Sequence, residues 1–343
     1  MEIGDRKKAI LDAIVRDYIQ TGEPVGSRTI AKKYEVGFSS ATIRNEMADL
    51  EEMGLIVQPH TSSGRIPSDK GYRFYVDKLM EIGSPTKEEI ELIKNYMHLS
   101  TINEIDKLIR KTAKLISDVT NYTAAIITPS ESTSIIVSLK LIPVSEVEIV
   151  AVVVTDMAQI KNIMIRLPKP ISPNMLLKIN NMLNEKLCGL TIEDINLSVI
   201  SSVQRELSGY NEILNSIIPL LYDSLKTDHQ KIYLSGASNM FSHAEYNDID
   251  RAKEFLSLVE NKDMLRKAFV NGNCPFEISI GDENDIDEIK NYSIVKATYN
   301  MNKKPVGSIG VIGPTRMNYS RVIGVLKCFT DILNDVLKTN YDD

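Results

Sequence analysis

Apolar residues three and four positions apart open the chain. Between residues 5 and 20, Ile10, Ile14 and Tyr18 recur with Leu11 and Val15 beside them, one stripe of an amphipathic helix. Pro24 and Gly26 then interrupt, and Ser27 is placed to cap a short helix, Ser27–Tyr34. Gly37 supplies a turn into a second helix, from about Ser40 to Met53 with Ser39 as its N-cap. Ile43, Met47 and Leu50 define that helix's buried face, so at about 100° per residue Ala41, Asn45 and Ala48 point the other way. Leu55–Gln58 reads as a strand, Pro59–Gly64 as a tight polar tip and Arg65-Ile66 as the returning strand. Ser68 or Asp69 caps a further helix, 70–80, whose Tyr72 and Tyr75 read first as packing residues and second as stacking groups for nucleic acid.

Gly83-Ser84-Pro85-Thr86 carries two breakers and a candidate N-cap, a boundary before helices at about 87–98 and 101–120. The second of these has Ile102, Ile105, Leu108, Ile109, Leu115 and Ile116 on one side. From Thr123 the period changes to that of strands: 124–127, 134–141, 146–154 and 160–167 are rich in Ile and Val and read as most of one sheet. Pro168, Pro170 and Pro173 break it. Residues 174–270 read as mostly helical, at about 174–187, 201–226, 250–260 and 262–270, with candidate strands at 197–200 and 231–234. The sheet resumes at 276–280, 292–299 and 306–312, before a closing helix from about Tyr319 to Lys338. A helical segment interrupting a sheet is the pattern of a domain inserted in a domain. Its helices carry Ile213, Leu214, Ile217, Ile218, Leu221 and Leu225, a larger apolar set than one helix flank requires, so some of it is expected to meet a partner.

At 343 residues the chain is long enough for two or three domains, and 43% hydrophobic with 25% charged residues is an ordinary globular composition. The net charge of −6 argues against nucleic acid until it is divided. Residues 1–80 hold 12 Lys plus Arg against 12 Asp plus Glu, so the acidity belongs to residues 81–343, with 28 against 34. Cys188, Cys274 and Cys328 are odd in number and widely spaced, which predicts reduced, mostly buried thiols in a cytoplasmic protein, with neither a disulfide framework nor a zinc site. The charged start Met1–Lys8 precedes no signal-like apolar core, and the run Ile149–Val154 is far too short to span a bilayer.

Candidate chemistry concentrates in the first eighty residues. The outer face of helix 40–53 is small, polar and cationic: Ser40, Ala41, Arg44 and Asn45. Such a face suits the DNA major groove, where small residues permit close approach, Arg pairs with guanine and Asn with adenine. It equally describes an ordinary solvent-facing helix. The wing-like hairpin that follows favours DNA, because hydroxyls, backbone amides and one cation at its tip suit phosphates or the minor groove. His60 has no neighbouring His or Cys and is not read as a metal ligand.

Elsewhere, Asp282-Glu283-Asn284-Asp285 with Asp287 and Glu288 lacks the glycine and terminal glutamate of a calcium loop and reads as a solvated acidic loop. Gly307, Gly310 and Gly313 end a strand rather than opening a helix, against a phosphate loop. Gly236-Ala237-Ser238 lacks the second glycine of a nucleophile elbow, and its neighbours His229 and His243 complete no triad. No catalytic, cofactor or metal site is expected.

Three runs carry a family resemblance: Gly22–Arg28, Ser40–Glu51 and Pro59–Pro67. Two more lie far downstream, at Gly236–Met240 and Gly307–Met317. Together they resemble the HrcA family of heat-inducible transcription repressors over nearly the whole chain. The resemblance implies an α+β multidomain protein: a winged helix-turn-helix DNA-binding domain (1–82), a discontinuous GAF-like α/β domain (83–169 and 274–343) and an inserted, mostly helical dimerisation domain (170–273). It implies a homodimer on an inverted-repeat operator of double-stranded DNA upstream of chaperone operons, released on heat stress and modulated by the chaperonin GroEL. The expected DNA-binding residues are Ser27, Arg28, Ser39, Ser40, Ala41, Thr42, Arg44, Asn45, His60, Thr61, Ser62, Ser63 and Arg65. The alternative of another class is a metabolite sensor or enzyme whose GAF-like domain binds a small molecule.

Overall fold

The computed structural model describes residues 3–34, 37–59, 64–98, 105–128, 134–156, 160–206, 211–226, 230–270, 274–301 and 304–341. It divides into two compact units, one formed by Met1–Thr128 with Lys231–Asp343 and the other by Pro129–Gln230.

The first unit begins with α1 (Asp5–Thr21), α2 (Ser27–Lys33) and α3 (Ser40–Glu52), then the short hairpin β1 (Ile56–Val57) and β2 (Ile66–Pro67) and α4 (Asp69–Lys78). Ile10, Leu11, Ile14, Val15, Ile30, Ile43 and Leu50 are fully buried, so the stripes of α1 and α3 are core as their spacing predicts, with Ile30 of α2 buried as well. Ser39 caps α3 by accepting from the Thr42 amide at 3.2 Å, and Ser68 caps α4 by accepting from Gly71 at 3.1 Å. Ser27 does not cap α2: the N-cap is Gly26, whose carbonyl accepts from Thr29, and Ser27 is the first helical residue. The returning strand is pinned to the segment before α2, because Val25 and Arg65 exchange backbone hydrogen bonds at 2.9 Å each way. A Cβ on Gly64 would lie 2.5 Å from the Val25 carbonyl, so only glycine permits that approach. Tyr72 and Tyr75 are buried, the packing outcome.

Helices α5 (Lys87–His98) and α6 (Ile105–Thr120) follow; Thr86 caps α5 in a reciprocal box with Glu89, while Ile102 lies outside the described residues. Next comes β3 (Thr123–Ile127), buried on both faces.

The second unit then intervenes. Its strands β4 (Ile136–Pro143), β5 (Glu148–Thr155) and β6 (Ile160–Arg166) form a separate antiparallel three-stranded sheet, followed by α7 (Pro173–Leu187), α8 (Leu197–Glu206) and α9 (Asn211–Lys226). The expectation of one continuous sheet is therefore corrected. Leu139, Ile149, Ala151, Val153 and Ile165 face the helices, and Ile213, Leu214, Ile217, Ile218, Leu221 and Leu225 fill the same core. The α9 apolar set is this unit's own interior and is not left over for a partner. Residues 197–200, expected as a strand, are the first turn of α8, where the Asn196 side chain accepts from the Ser198 and Val199 amides. Local capping decides against the β-branched composition.

The chain re-enters the first unit at β7 (Ile232–Ser235), then passes through α10 (Ile249–Glu260), α11 (Lys262–Phe269), β8 (Phe276–Ile280), β9 (Tyr292–Met301), β10 (Lys304–Pro314) and α12 (Tyr319–Tyr341). The sheet runs β7-β3-β10-β9-β8, antiparallel throughout. On one face Ala125, Ile127, Ile294 and Ile312 pack with Phe255, Leu265 and Phe269 of α10 and α11, while α6 and α12 pack against the sheet as well. These helices and β7 belong to this body, although the sequence pattern assigned them to the insertion; the compact second unit is 129–230, not 170–273.

The glycines of β10 serve this packing. A Cβ on Gly310 would sit 2.9 Å from the Phe269 ring and 2.4 Å from the Val295 carbonyl. Nor is the 282–288 loop simply solvated. Buried Asn284 donates to the Gly281, Ile289 and Tyr292 carbonyls, and Glu283 is paired with Arg73 of α4. Among the described residues no helix is long and apolar enough to cross a membrane. The three cysteines are free thiols, but Cys274 is exposed and Cys188 and Cys328 are half-buried, less enclosed than expected.

Candidate nucleic-acid interface

Helix α3 presents the surface the sequence pointed to. Ile43, Met47 and Leu50 hold it against the core, which leaves Ala41, Arg44, Asn45 and Ala48 exposed on the opposite side. Arg44 and Asn45 make no hydrogen bond or ion pair with any described residue, and neither do exposed Arg28 and Lys32 on α2. The structure thus brings Arg28, Ser39, Ser40, Ala41, Thr42, Arg44 and Asn45 together on two consecutive helices. The Ser39 and Thr42 hydroxyls lie 3.0 Å apart within the α3 cap, so both are partly committed to the helix end. Ser27 is half-buried beside them. His60, Thr61, Ser62 and Ser63 lie outside the described residues.

Arg65 sits differently from expectation. Its Nε donates to Glu51 Oε2 at 2.9 Å and its Nη2 lies 2.8 Å from the same oxygen. The wing's cation is therefore anchored to the end of α3 before any ligand arrives.

Among the described residues, every acid of α1 and α3 except Glu52 has a cation. Lys7 Nζ lies 2.8 Å from Glu46 Oε2 and 2.8 Å from Asp49 Oδ2, and Arg6 donates to Glu46 Oε1 at 3.2 Å. Pairing with Asp49 and then Glu46 raises the Lys7 pKa, and the paired Lys7 ammonium outweighs burial in holding Glu46 below its usual value. Buried Asp17 accepts from Lys33 and from the Tyr34 hydroxyl. With these carboxylates engaged, the cations that have no partner among the described residues give α2 and α3 a positive outer surface that the even count over residues 1–80 conceals.

Two arginines that the sequence reading passed over fasten this module to the body of its unit. Arg73 of α4 donates through Nε to Glu283 Oε1 at 2.8 Å. Arg316, after β10, donates through Nη1 to the Ile19 carbonyl at the end of α1 at 2.8 Å and through Nη2 to Glu245 at 3.1 Å. Burial works against the charged forms of Glu283 and Glu245, but the guanidiniums hold both carboxyls below their ordinary range. Arg316 lies in one of the downstream runs that carried the resemblance; no sequence spacing reveals that it meets α1.

The other sites considered have structural explanations. Gly236 occupies the left-handed region and opens a 3₁₀ turn, where Asn239 donates to Ser117 Oγ at 2.9 Å and His243 stacks on Tyr122.

Comparison with known proteins accords with this geometry. Residues 2–78 match the family described as the winged helix-turn-helix transcription repressor HrcA, DNA-binding, and residues 106–323 match the HrcA protein C terminal domain. The chain is 48% identical to the heat-inducible transcription repressor HrcA of Clostridium botulinum (strain Eklund 17B / Type B), covering 98% of each protein. It is 49% identical to that of Clostridium acetobutylicum, again over 98% of each, and 43% identical to that of Acetivibrio thermocellus over 95% of this chain and 94% of the relative. A crystal structure of a hypothetical protein shares the fold, with a TM-score of 0.64 at 24% identity, covering 98% of this chain and 99% of the other.

Proposed function

Because the chain belongs to the HrcA family of heat-inducible transcription repressors, we propose that it represses chaperone operons by binding an inverted-repeat operator as a homodimer and leaves it on heat stress. In this reading α3 lies in the major groove, with Arg44 and Asn45 on base edges and Ala41 and Ala48 permitting close approach. Arg28, Lys32 and the α3 N-terminal hydroxyls meet phosphates. The observation that carries it is that Arg44 and Asn45, on an exposed, otherwise small-sided face of α3, have no partner among the described residues.

Two-fold symmetry is what an inverted repeat demands of its reader. The outer face of the β4–β6 sheet supports a second copy as the partner. Ile142, Val150 and Met164 form one cross-strand row there and Val154 and Ile160 another; Ile142, Ile160 and Met164 are exposed. The five-stranded sheet with helices on both faces is the part read as GAF-like. Modulation by GroEL and action in the cytoplasm rest on the family resemblance. Footprinting of genomic fragments with the purified full-length protein tests the reading. The expected result is a protected inverted repeat upstream of chaperone genes; binding with no preference over random duplex at matched salt overturns it.

A second reading has one observation in its favour. A polar cleft of about 370 Å³ in the first unit is lined by Asp69 from α4 together with Arg251, Glu254, Asp282 and Tyr292. A small polar molecule held there would make the body a sensor. A small molecule copurifying with the protein, with its retention lost in Arg251→Ala, is the outcome this second reading requires.

A further inference from the structure

The carboxylates of α3 pose a problem that its exposed face does not solve. Asp49 follows Asn45 by four residues, so the two share a face, turned by only about 40° from one another. Its side chain is 53% exposed. Glu46 adjoins Asn45 in sequence. Left bare, two negative charges would stand beside the groups that meet a polyanion, and DNA binding would be opposed by repulsion.

Both are answered from one place. Lys7 Nζ bridges Glu46 Oε2 and Asp49 Oδ2, at 2.8 Å from each, from the first turn of α1. Arg6 takes the other Glu46 oxygen at 3.2 Å, and its guanidinium lies 4.7 Å over the ring of Phe38, the residue before the α3 cap. The contacts reach the residue before the α3 cap, the middle of the helix and a point one turn later, so they bear on the rotation of the helix about its axis as well as on its charge. Lys7 is 21% exposed in its side chain and holds both carboxylates at once, a geometry an exposed pair of long side chains rarely keeps.

We propose that Lys7, assisted by Arg6, is a positioning residue for DNA recognition: by bridging Glu46 and Asp49 it neutralises the acids of the recognition helix and sets the angle at which Arg44 and Asn45 are presented. The inference rests on the reading of α3 as the DNA-contacting helix. Lys7 acts through α3 and does not itself meet a phosphate, which separates it from Arg28 and Lys32.

The test is a double-mutant cycle in the full-length protein, titrated against the footprinted fragment and a random duplex of equal length at several salt concentrations. Lys7→Ala is expected to weaken binding to the footprinted fragment by about tenfold and to the random duplex by less, so that the ratio between them falls. Neutralising the acids with Glu46→Gln and Asp49→Asn restores most of the affinity in the Lys7→Ala background and changes the wild type much less. Lys7→Arg keeps wild-type behaviour. Wild-type binding by Lys7→Ala overturns the proposal. So does a cycle in which the acid substitutions add the same increment in both backgrounds, because Lys7 would then be an independent phosphate contact. Failure of the α3 reading shows separately, as an unchanged duplex ratio in Arg44→Ala and Asn45→Ala. Thermal unfolding of each variant without DNA distinguishes loss of the fold from loss of the charge bridge.

Discussion

An exposed side chain with nothing to bind is informative only when its neighbours are accounted for. Around Arg44 and Asn45 every carboxylate of α3 except exposed Glu52 has a cation, so the two residues lack partners among the described residues for reasons visible in the packing. Arg44→Ala and Asn45→Ala are each expected to cost about 1–3 kcal/mol of operator affinity, the range for a good base contact, and to leave thermal stability unchanged. Titration against operator and random duplex checks this; an unchanged ratio for Asn45→Ala places the reading face elsewhere. Arg65→Ala belongs to a different class. Removing a cation paired with Glu51 leaves that carboxylate bare at the wing's base, so binding is expected to weaken to a similar degree on any DNA, with a shallower dependence on salt. Arg44 and Asn45 were legible in sequence as exposed polar positions, but the pair of Arg65 with Glu51 joins positions fourteen apart and was not.

Helices with strong periodicity were the most legible elements. The stripes of α1 and α3 located most of the reader's core, because a helix face repeats within the sequence itself, although Tyr18 is only half-buried and Asp17 is buried. Strands gave their existence and not their neighbours: β3 and β4–β6 read alike as Ile/Val-rich runs, and only long-range pairing separates them into two sheets. The α9 stripe was visible, yet periodicity cannot say whether a stripe meets its own chain or another. Since Ile217 is fully buried in that core, Ile217→Ala is expected to destabilise the unit by about 2–5 kcal/mol, read by urea unfolding. If its effect is instead confined to self-association, the set is an interface after all.

The arginine clamps carry a pH dependence at this same scale. Glu283 and Glu245 have folded-state values depressed below 4.5, so their contribution is present above pH 4.5 and lost as pH falls through the lower folded values. Limited proteolysis in the linker around Gly83 is expected to accelerate on acidification through that window. In Glu283→Gln with Glu245→Gln it should already be fast at neutral pH and nearly flat with pH; a wild-type profile in that variant removes the clamps from the account.

At the level of the whole molecule, the boundary of the inserted unit decides which excision leaves a folding protein. The sequence pattern suggested removing 170–273, but that cut takes β7, α10 and α11, and with them Phe255, Leu265 and Phe269, which have no exposed surface and close one face of the five-stranded sheet. Losing several such side chains exceeds the whole stability of an ordinary domain, about 5–15 kcal/mol, so this truncation is expected to unfold. The cut at 129–230 is different. Ile127 and Ile232 are already register partners, the Thr128 amide donates to the Lys231 carbonyl at 2.9 Å, and the Lys231 amide donates to Thr128 Oγ1 at 2.9 Å. The ends therefore meet across an antiparallel pair, and a two-residue Asn-Gly turn between Thr128 and Lys231 converts the insertion point into a hairpin. The excised chain should fold, keep α3 and its Lys7 bridge, and sediment as a monomer. Loss of the second reader removes an effective concentration worth a factor of about 10²–10⁴, so operator binding falls steeply while binding to random duplex falls much less. Sedimentation beside paired titrations at matched salt decides the matter: a folded dimer with intact operator affinity would take the dimer contact out of residues 129–230 and back to the first unit.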